Sequence, residues 1–371
     1  NPSQIQLEAY FPNDIDCDRV FSGDYKYTKS LAVNRLKLEN ETLDMSCEAI
    51  QIRFNRAPSL HEPYPIAYVK NVYSDYQFLE QQIWNTYTSQ NVYCFSIDSK
   101  APDPFQNRLR QLASCLPNIV ISNVSRKMAS QGQNQNYAHI DCLKIIIDRL
   151  WNYVFLLQNY DIVTRTHKEL TEIFEAMGGS IVIEKFPCPK WRCKRYPRNL
   201  GQLGLCPRSF TGEKCTSYII TGLLYTPSQF YYPLCPQSFV DRKNEREWPE
   251  RFGDCINLQS LDDEYYLQSL LTTEALEIPG RVSRTCPVSR LMRFVAWYKK
   301  SLCKSGYLRH GVCVFGLEDL PRLATVNHLI INKMIPSFDN GAIQCFNERI
   351  LQRSLGYVTN PFSIDPLYQS D

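Results

Sequence analysis

The sequence predicts an α/β protein: a mostly parallel sheet flanked by helices, with a disulfide-tied irregular insertion and a helical C-terminal part. Two observations carry the prediction. From Tyr64 to Gly179, apolar runs of strand length alternate with amphipathic segments of helix length, the pattern of a sheet covered by helices. Fifteen cysteines are scattered along the 371 residues without one CxxC pair, and seven of them crowd into or beside a Pro-, Arg- and aromatic-rich segment, 187–260. Residues 1–62 then read as an N-terminal segment, 63–360 as one domain carrying that insertion, and 361–371 as a tail.

The elements follow in order. The first sixty or so residues are polar and hold no long periodic segment. "PIAYVKNVY" reads as a strand, and "DYQFLEQQIWNTY" as a helix with apolar residues at 78, 79, 83 and 84. Strand "NVYCFSID", helix "PFQNRLRQLASCL", strand "NIVISN", helix "IDCLKIIIDRLW" and strand "YVFLLQNYD" come next. "THKELTEIFEAMGG" is a helix with Thr166 and Glu169 as a capping box and Gly178 and Gly179 as its stop. In the insertion only "SYIITGLLY" reads as a strand. "VSRLMRFVAWYKKSLC" and "LEDLPRLATVNHLIINKM" read as helical.

A net charge of +3 and 21% charged residues exclude bulk nucleic-acid binding and leave room for a local basic patch. No window approaches the roughly 20 uncharged apolar residues of a membrane span. The nearest, "CLKIIIDRLWNYVFLL", is broken by Lys144, Asp148 and Arg149. With Asn1 in first place and no leader motif, the chain reads as an ectodomain whose membrane contact would be an N-terminal anchor outside this sequence. Cys188 and Cys193 are the best local cysteine pair, but no second pair completes a zinc site. Disulfides of a secretory compartment fit the count, and the sequons Asn40-Glu-Thr and Asn123-Val-Ser agree with that exposure.

No GxGxxG, Walker A, GxSxG or HExxH motif is present. In parallel sheets ligands sit beyond the carboxyl ends of the strands, and two strands here end in aspartate, Asp98 and Asp161. Asp98-Ser-Lys100 has two readings: a strand-end carboxylate capping the next turn, or a variant of the Asp-x-Asp that binds a metal ion in GT-A nucleotide-sugar transferases. In the second, Lys100 supplies part of the metal's charge. "SLDDEYYLQSLL" (260–271) offers three acids, Asp262, Asp263 and Glu264, before an apolar helical run. Acids there complement a helix N-terminus, whereas residues 264, 267, 268 and 271 share a face and direct Glu264 inward with Leu267 and Leu271. Burial would raise its pKa, as a general base requires.

Taken together, these segments resemble the core-2/I-branching β-1,6-N-acetylglucosaminyltransferases over residues 17–350. "YPIAYVKNVY" resembles the family's F-P-I-A-Y-S-I-V-V, "QNVYCFSIDSKA" its Q-N-x-Y-C-I-H-V-D-x-K-S, and "LASCLPNIVIS" its I-A-S-C-F-x-N-V-F-V-A-S. "NYDIVTRT" is similar to G-x-D-F-P-I-K-T, "RFVAW" to R-F-V-K-W, and "GVCVFGLEDL" to S-V-C-I-F-G-A-G-D-L. "NHLIINKMIPSFDNGAIQC" and the early "CDRVFSGD" resemble further family segments. Protein xylosyltransferases are relatives of the same group.

The resemblance implies a GT-A-like domain over 63–360 and an inverting, metal-independent transfer of GlcNAc from UDP-GlcNAc to a glycan or glycoprotein hydroxyl in the Golgi lumen, with no cofactor. It implies four disulfides, Cys17–Cys345, Cys47–Cys115, Cys94–Cys142 and Cys303–Cys313; closing the first, very long loop contributes on the order of 4–5 kcal/mol in the chain-entropy picture. Glu264 matches the family's base in S-P-D-E-Y-L-W. Lys333 matches the Lys of F-A-N-K that meets the diphosphate. The family's Arg position holds His310, with Arg309 beside it, and Arg165 replaces a Lys and reads as structural. Asp98 and Lys100 fall to the donor. Glu184, Lys190, Arg192 and Trp297 fall to the acceptor, against the alternative of a solvated basic loop and a core tryptophan. The family's Y-A-S-W-S-R-V-Q-A-D-L-N-C becomes "SQGQNQNYAHIDC", which puts Gln133 and His139 near the nucleotide in place of a Tyr and a Trp. Two other readings stay open: a UDP-xylose enzyme, and a glycan-binding protein on a degenerate scaffold.

Overall fold

The computed structural model describes residues 15–38, 43–55, 64–130, 132–177, 292–297 and 302–358, together with the backbone of 224–225. Among the described residues three helices precede the sheet: α1 (Cys17–Phe21), α2 (Tyr25–Val33) and α3 (Cys47–Phe54). Their starts are capped by Asp16, Asp24 and Ser46, whose side chains accept from backbone N–H groups of the first turn. The polar N-terminal segment is therefore more regular than its sequence suggests. Each helix is too short to show a periodic stripe and is held by caps and bridges instead.

Strands β1 (Ile66–Val72), β2 (Val92–Ile97), β3 (Ile119–Ile121) and β4 (Tyr153–Gln158) run parallel in the order β3–β2–β1–β4, and β6 (Leu224–Tyr225) adds an antiparallel edge to β4. Every residue of β1 and β2 is buried, as expected of parallel strands covered on both faces. Tyr93, Tyr68 and Phe155 lie opposite one another in β2, β1 and β4. Their rings stack with centroids 5.1 and 5.4 Å apart, so an aromatic ladder crosses the sheet.

The covering helices are α4 (Tyr76–Thr86), α5 (Asp103–Cys115), α6 (Gln135–Ile146) and α7 (His167–Met177). The α7 capping box forms: Thr166 N donates to Glu169 Oε2 at 2.9 Å and Glu169 N to Thr166 Oγ1 at 3.2 Å. A second sheet places β10 (Ile330–Asn332) between β5 (Ile162–Val163), antiparallel, and β7 (Arg293–Val295), parallel. The hairpin β8 (Leu308–Arg309)–β9 (Val312–Cys313) precedes a 3₁₀ turn, Leu317–Asp319, then α8 (Leu320–Leu323) and α9 (Pro336–Ser354).

The helical expectation is corrected here for 317–334 and for 292–297, the described core of 288–303. Arg293–Val295 and Ile330–Asn332 are paired strands, and within 317–334 only Leu317–Leu323 coils. Apolar runs of this length do not distinguish a short buried strand from a helix; here the backbone of each finds its partner in the other.

The four disulfides implied by the resemblance are formed. Cys17–Cys345 joins α1 to α9 across 328 residues, Cys47–Cys115 joins α3 to α5, Cys94–Cys142 joins β2 to α6, and Cys303–Cys313 closes the loop that carries β8. The other seven cysteines lie outside the described residues. No described helix is long and apolar enough to cross a membrane.

Candidate active site

The strand order reverses beside β1, so the crevice beyond the carboxyl ends of β1 and β4 is the topological switch point where ligands of such sheets sit. Tyr73, Ser74 and Asp75 leave β1 there, and Asn159, Tyr160 and Asp161 leave β4. The two ends are tied together, because Tyr73 N donates to Asn159 Oδ1 at 2.8 Å. On the other side of β1, Asp98 N donates to Val72 O at 2.9 Å, which puts the β2 end level with them.

Asp98 is buried. Its Oδ1 accepts from Lys100 N at 2.9 Å and its Oδ2 lies 3.5 Å from Lys100 Nζ. The carboxylate thus caps its own turn. Lys100 Nζ also donates to Met128 O at 2.6 Å, and its side chain stays about half exposed.

Asp161 is a structural hub. Its Oδ2 accepts from Arg293 Nη2 at 2.5 Å and from Gln158 N at 2.7 Å, and its Oδ1 accepts from Asn332 Nδ2 at 2.8 Å. This bonding brings the end of β10, and with it Lys333, to the switch point. Below it, Lys70 Nζ donates to Asp161 O at 3.1 Å. Burial, with Arg293 adding to it and Asp161 opposing, pushes Lys70 down to about 8.

Of the two candidates for the second cation, the structure separates one from the other. Arg309 leaves β8 toward Tyr160, with Cζ 5.9 Å from the ring centroid. His310 sits exposed in the hairpin turn with φ 55°, followed by Gly311 at φ 79°. For Arg309 the lowering effect of burial is outweighed by the oxygens of Tyr73, Tyr160 and Tyr307, so its pKa rises. Lys333 is pushed down by burial and by Arg309, with Asp161 opposing. Arg309 beside Tyr160 and Lys333 next to Asn332 therefore stand at the same end of the sheet, an arrangement able to meet a diphosphate.

His139 does not line the crevice. It is buried, and its Nε2 meets Leu157 O at 3.0 Å; burial pushes it down to about 4, which keeps it neutral. Gln133 is exposed, while Gln135 holds the strand ends: its carbonyl accepts from Asn71 Nδ2 at 3.0 Å and its Oε1 from Gln158 Nε2 at 2.7 Å. Arg165 is buried and donates to the carbonyl of Val326 at 2.8 Å, in keeping with a structural role. Trp297, expected on a helix, instead follows β7 and bridges Val312 beside the hairpin of Arg309. Asn123 is exposed just after β3. Glu264, Glu184, Lys190, Arg192 and Asn40 lie outside the described residues.

Sequence reasoning missed Tyr73, Asp75, Tyr160 and Arg293. Only the position of Asp161 at a strand end hinted at the cluster. Among the described residues no three His, Cys, Asp or Glu side chains are placed to share a metal ion.

Residues 66–209 match the family model described as Core-2/I-Branching enzyme. The beta-1,3-galactosyl-O-glycosyl-glycoprotein beta-1,6-N-acetylglucosaminyltransferase 3 of Mus musculus is 22% identical over 92% of this chain and 84% of its own length; the Homo sapiens counterpart is 21% identical over the same shares. Transferase 4 of Mus musculus is 26% identical over 78% of this chain and 66% of its own. Among solved structures, a mannosyltransferase from Pyrobaculum calidifontis in complex with GDP-Man and Mn²⁺ aligns over 59% of this chain and 56% of its own. Its identity is 10% and its TM-score 0.26, a likeness too slight to bear on the fold. The class is thereby defined: the chain is a glycosyltransferase. Within that class it resembles the core-2/I-branching enzymes over residues 66–209, with β-1,6-N-acetylglucosaminyltransferases among its relatives.

Proposed function

We propose that the protein is an inverting, metal-independent glycosyltransferase of the Golgi lumen that moves GlcNAc from UDP-GlcNAc to a hydroxyl of a glycan or glycoprotein. The observation that carries this reading is the pairing of Arg309 and Lys333 at the switch-point crevice. In the reaction an acceptor hydroxyl oxygen bonds to the anomeric carbon as the bond to the UDP oxygen breaks. The hydroxyl proton passes to the Glu264 carboxylate, and the bonding electrons leave with UDP. The two cations take up the charge that grows on the leaving diphosphate, a role a divalent ion fills in other transferases. Asp98 and Lys100 complete the donor side, and Glu184, Lys190, Arg192 and Trp297 the acceptor side.

The test is transfer from radiolabelled UDP-GlcNAc to O-glycan acceptors in EDTA, beside UDP-xylose. Transfer in EDTA that falls by several orders of magnitude in Glu264→Gln is the expected result. Strict dependence on Mn²⁺ overturns the metal-free mechanism, full activity in Glu264→Gln overturns the base, and preference for UDP-xylose overturns the donor.

A further inference from the structure

Asp75 stands between β1 and α4 with φ 61° and ψ 61°, left-handed backbone that a non-glycine residue adopts at a cost of roughly 1 kcal/mol. It occupies the N-cap position of α4, where an aspartate ordinarily accepts a backbone N–H. Here its side chain makes no such bond. The carboxylate is turned the other way: Oδ2 accepts from Tyr160 Oη at 2.6 Å and from Ser74 Oγ at 2.8 Å. Helix capping therefore does not account for the strained conformation. The bond across to the β4 end does.

Tyr160 is held from every side. Its ring meets Tyr73 edge-on at 5.8 Å and Phe78 at 5.9 Å, and Ser74 Oγ lies 3.0 Å from its hydroxyl. Burial, with Asp75 adding to it, pushes the hydroxyl well above the ordinary tyrosine range, so it stays protonated. Its one proton goes to Asp75, which holds the ring in place, and the guanidinium of Arg309 lies with Cζ 5.9 Å from the ring centroid. A relay of contacts from carboxylate to phenol to guanidinium thus spans the β1 end, the β4 end and the β8–β9 hairpin, its first link a hydrogen bond and its second a cation–ring contact.

We propose that Asp75 and Tyr160 are positioning residues: Asp75 holds the hydroxyl of Tyr160, and the ring so held fixes the guanidinium of Arg309 where it meets the diphosphate of the nucleotide-sugar donor. The proposal rests on the function proposed above. It adds that donor affinity depends on two residues that the sequence motifs do not reach. The bond from Tyr160 to the Asp75 carboxylate is of the charge-assisted, stronger kind, and without it the ring is free to turn away from Arg309.

UDP titration by calorimetry and donor kinetics on the wild type, Tyr160→Phe, Asp75→Asn and the double variant test it. Asparagine tolerates the left-handed backbone, so Asp75→Asn removes charge without disturbing the turn. Tyr160→Phe is expected to weaken UDP binding and raise the donor KM 5- to 10-fold with kcat within twofold. Asp75→Asn is expected to cost about threefold, and the double variant no more than Tyr160→Phe, because both act through one bond. A Tyr160→Phe protein that binds UDP as tightly as wild type overturns the proposal, as does a strictly additive double variant. A second readout needs no donor: the phenylglyoxal labelling rate of Arg309, followed by peptide mass spectrometry. Labelling several-fold faster in Tyr160→Phe and Asp75→Asn supports the relay; unchanged labelling overturns it. Should the wild type bind no UDP, the proposed function fails while this labelling still decides whether Arg309 is held.

Discussion

Replacing Lys70 by methionine tests how the floor of the crevice carries its charge. Lys70 lies within β1, 4% exposed, with its ammonium 3.1 Å from the carbonyl oxygen of Asp161 and 5.6 Å from the centre of the Phe78 ring. Burial lowers its pKa from 10.5 to about 8. The folded pKa lies below the unfolded one, so between about pH 8 and 10.5 the unfolded chain holds the extra proton and stability rises with pH. The cost of folding around the protonated amine is about 3 kcal/mol at pH 7 and falls to about 1 kcal/mol at pH 9.5, from roughly 1.4 kcal/mol per pKa unit. Wild type should therefore gain about 2 kcal/mol relative to Lys70→Met over that range. Methionine keeps the length and flexibility of the chain and removes the charge. The assay is guanidinium denaturation of both proteins, disulfides intact, at several pH values. A stability difference that stays flat between pH 7 and 9.5 would refute the assignment of a suppressed Lys70.

Lys333, also lowered by burial, regains its proton preference beside a bound diphosphate; UDP affinity should fall as pH rises through its pKa, and calorimetry in buffers of different ionisation heat should show proton uptake on binding. Arg309→Ala should weaken UDP binding tenfold or more, whereas His310→Asn, which keeps the left-handed turn, should change it less than twofold. Removing the Cys17–Cys345 bridge as a double alanine variant should cost on the order of 5 kcal/mol in the chain-entropy picture, read as a lower thermal midpoint under non-reducing conditions.

The parallel sheet was legible because its strands are buried on both faces and are written as unbroken apolar runs between amphipathic helices. The Thr166–Glu169 box was legible for a similar reason: three-residue spacing is local chemistry. The second sheet was not. β7 and β10 are three residues each, and what makes them strands is a partner 37 positions away, Ile330 beside Arg293. Nothing in either segment alone records that contact. The N-terminal helices escaped for the complementary reason: five to nine residues are too few to show a 3.6-residue period, although Asp16, Asp24 and Ser46 were visible as possible caps.

The site divides along the same line. Asp98, Lys100 and Lys333 stand in contiguous motifs, so local sequence finds them, but local sequence does not say what each carboxylate is occupied with. Asp98 closes its own turn, and Asp161 gathers Arg293, Asn332 and the Gln158 amide. That hub does more than neutralise a buried arginine. It fastens the end of β10 to the end of β4, and the residue that follows Asn332 is Lys333. The cation we propose for the diphosphate is therefore placed by an aspartate that need never touch the donor, as we propose Arg309 is placed through Tyr160 by Asp75. In both cases a carboxylate at a strand end of the central sheet sets the position of a cation on a neighbouring element. Exchange at either acid should accordingly appear in donor affinity more than in the chemical step, whereas exchange at Glu264 should appear in the chemical step.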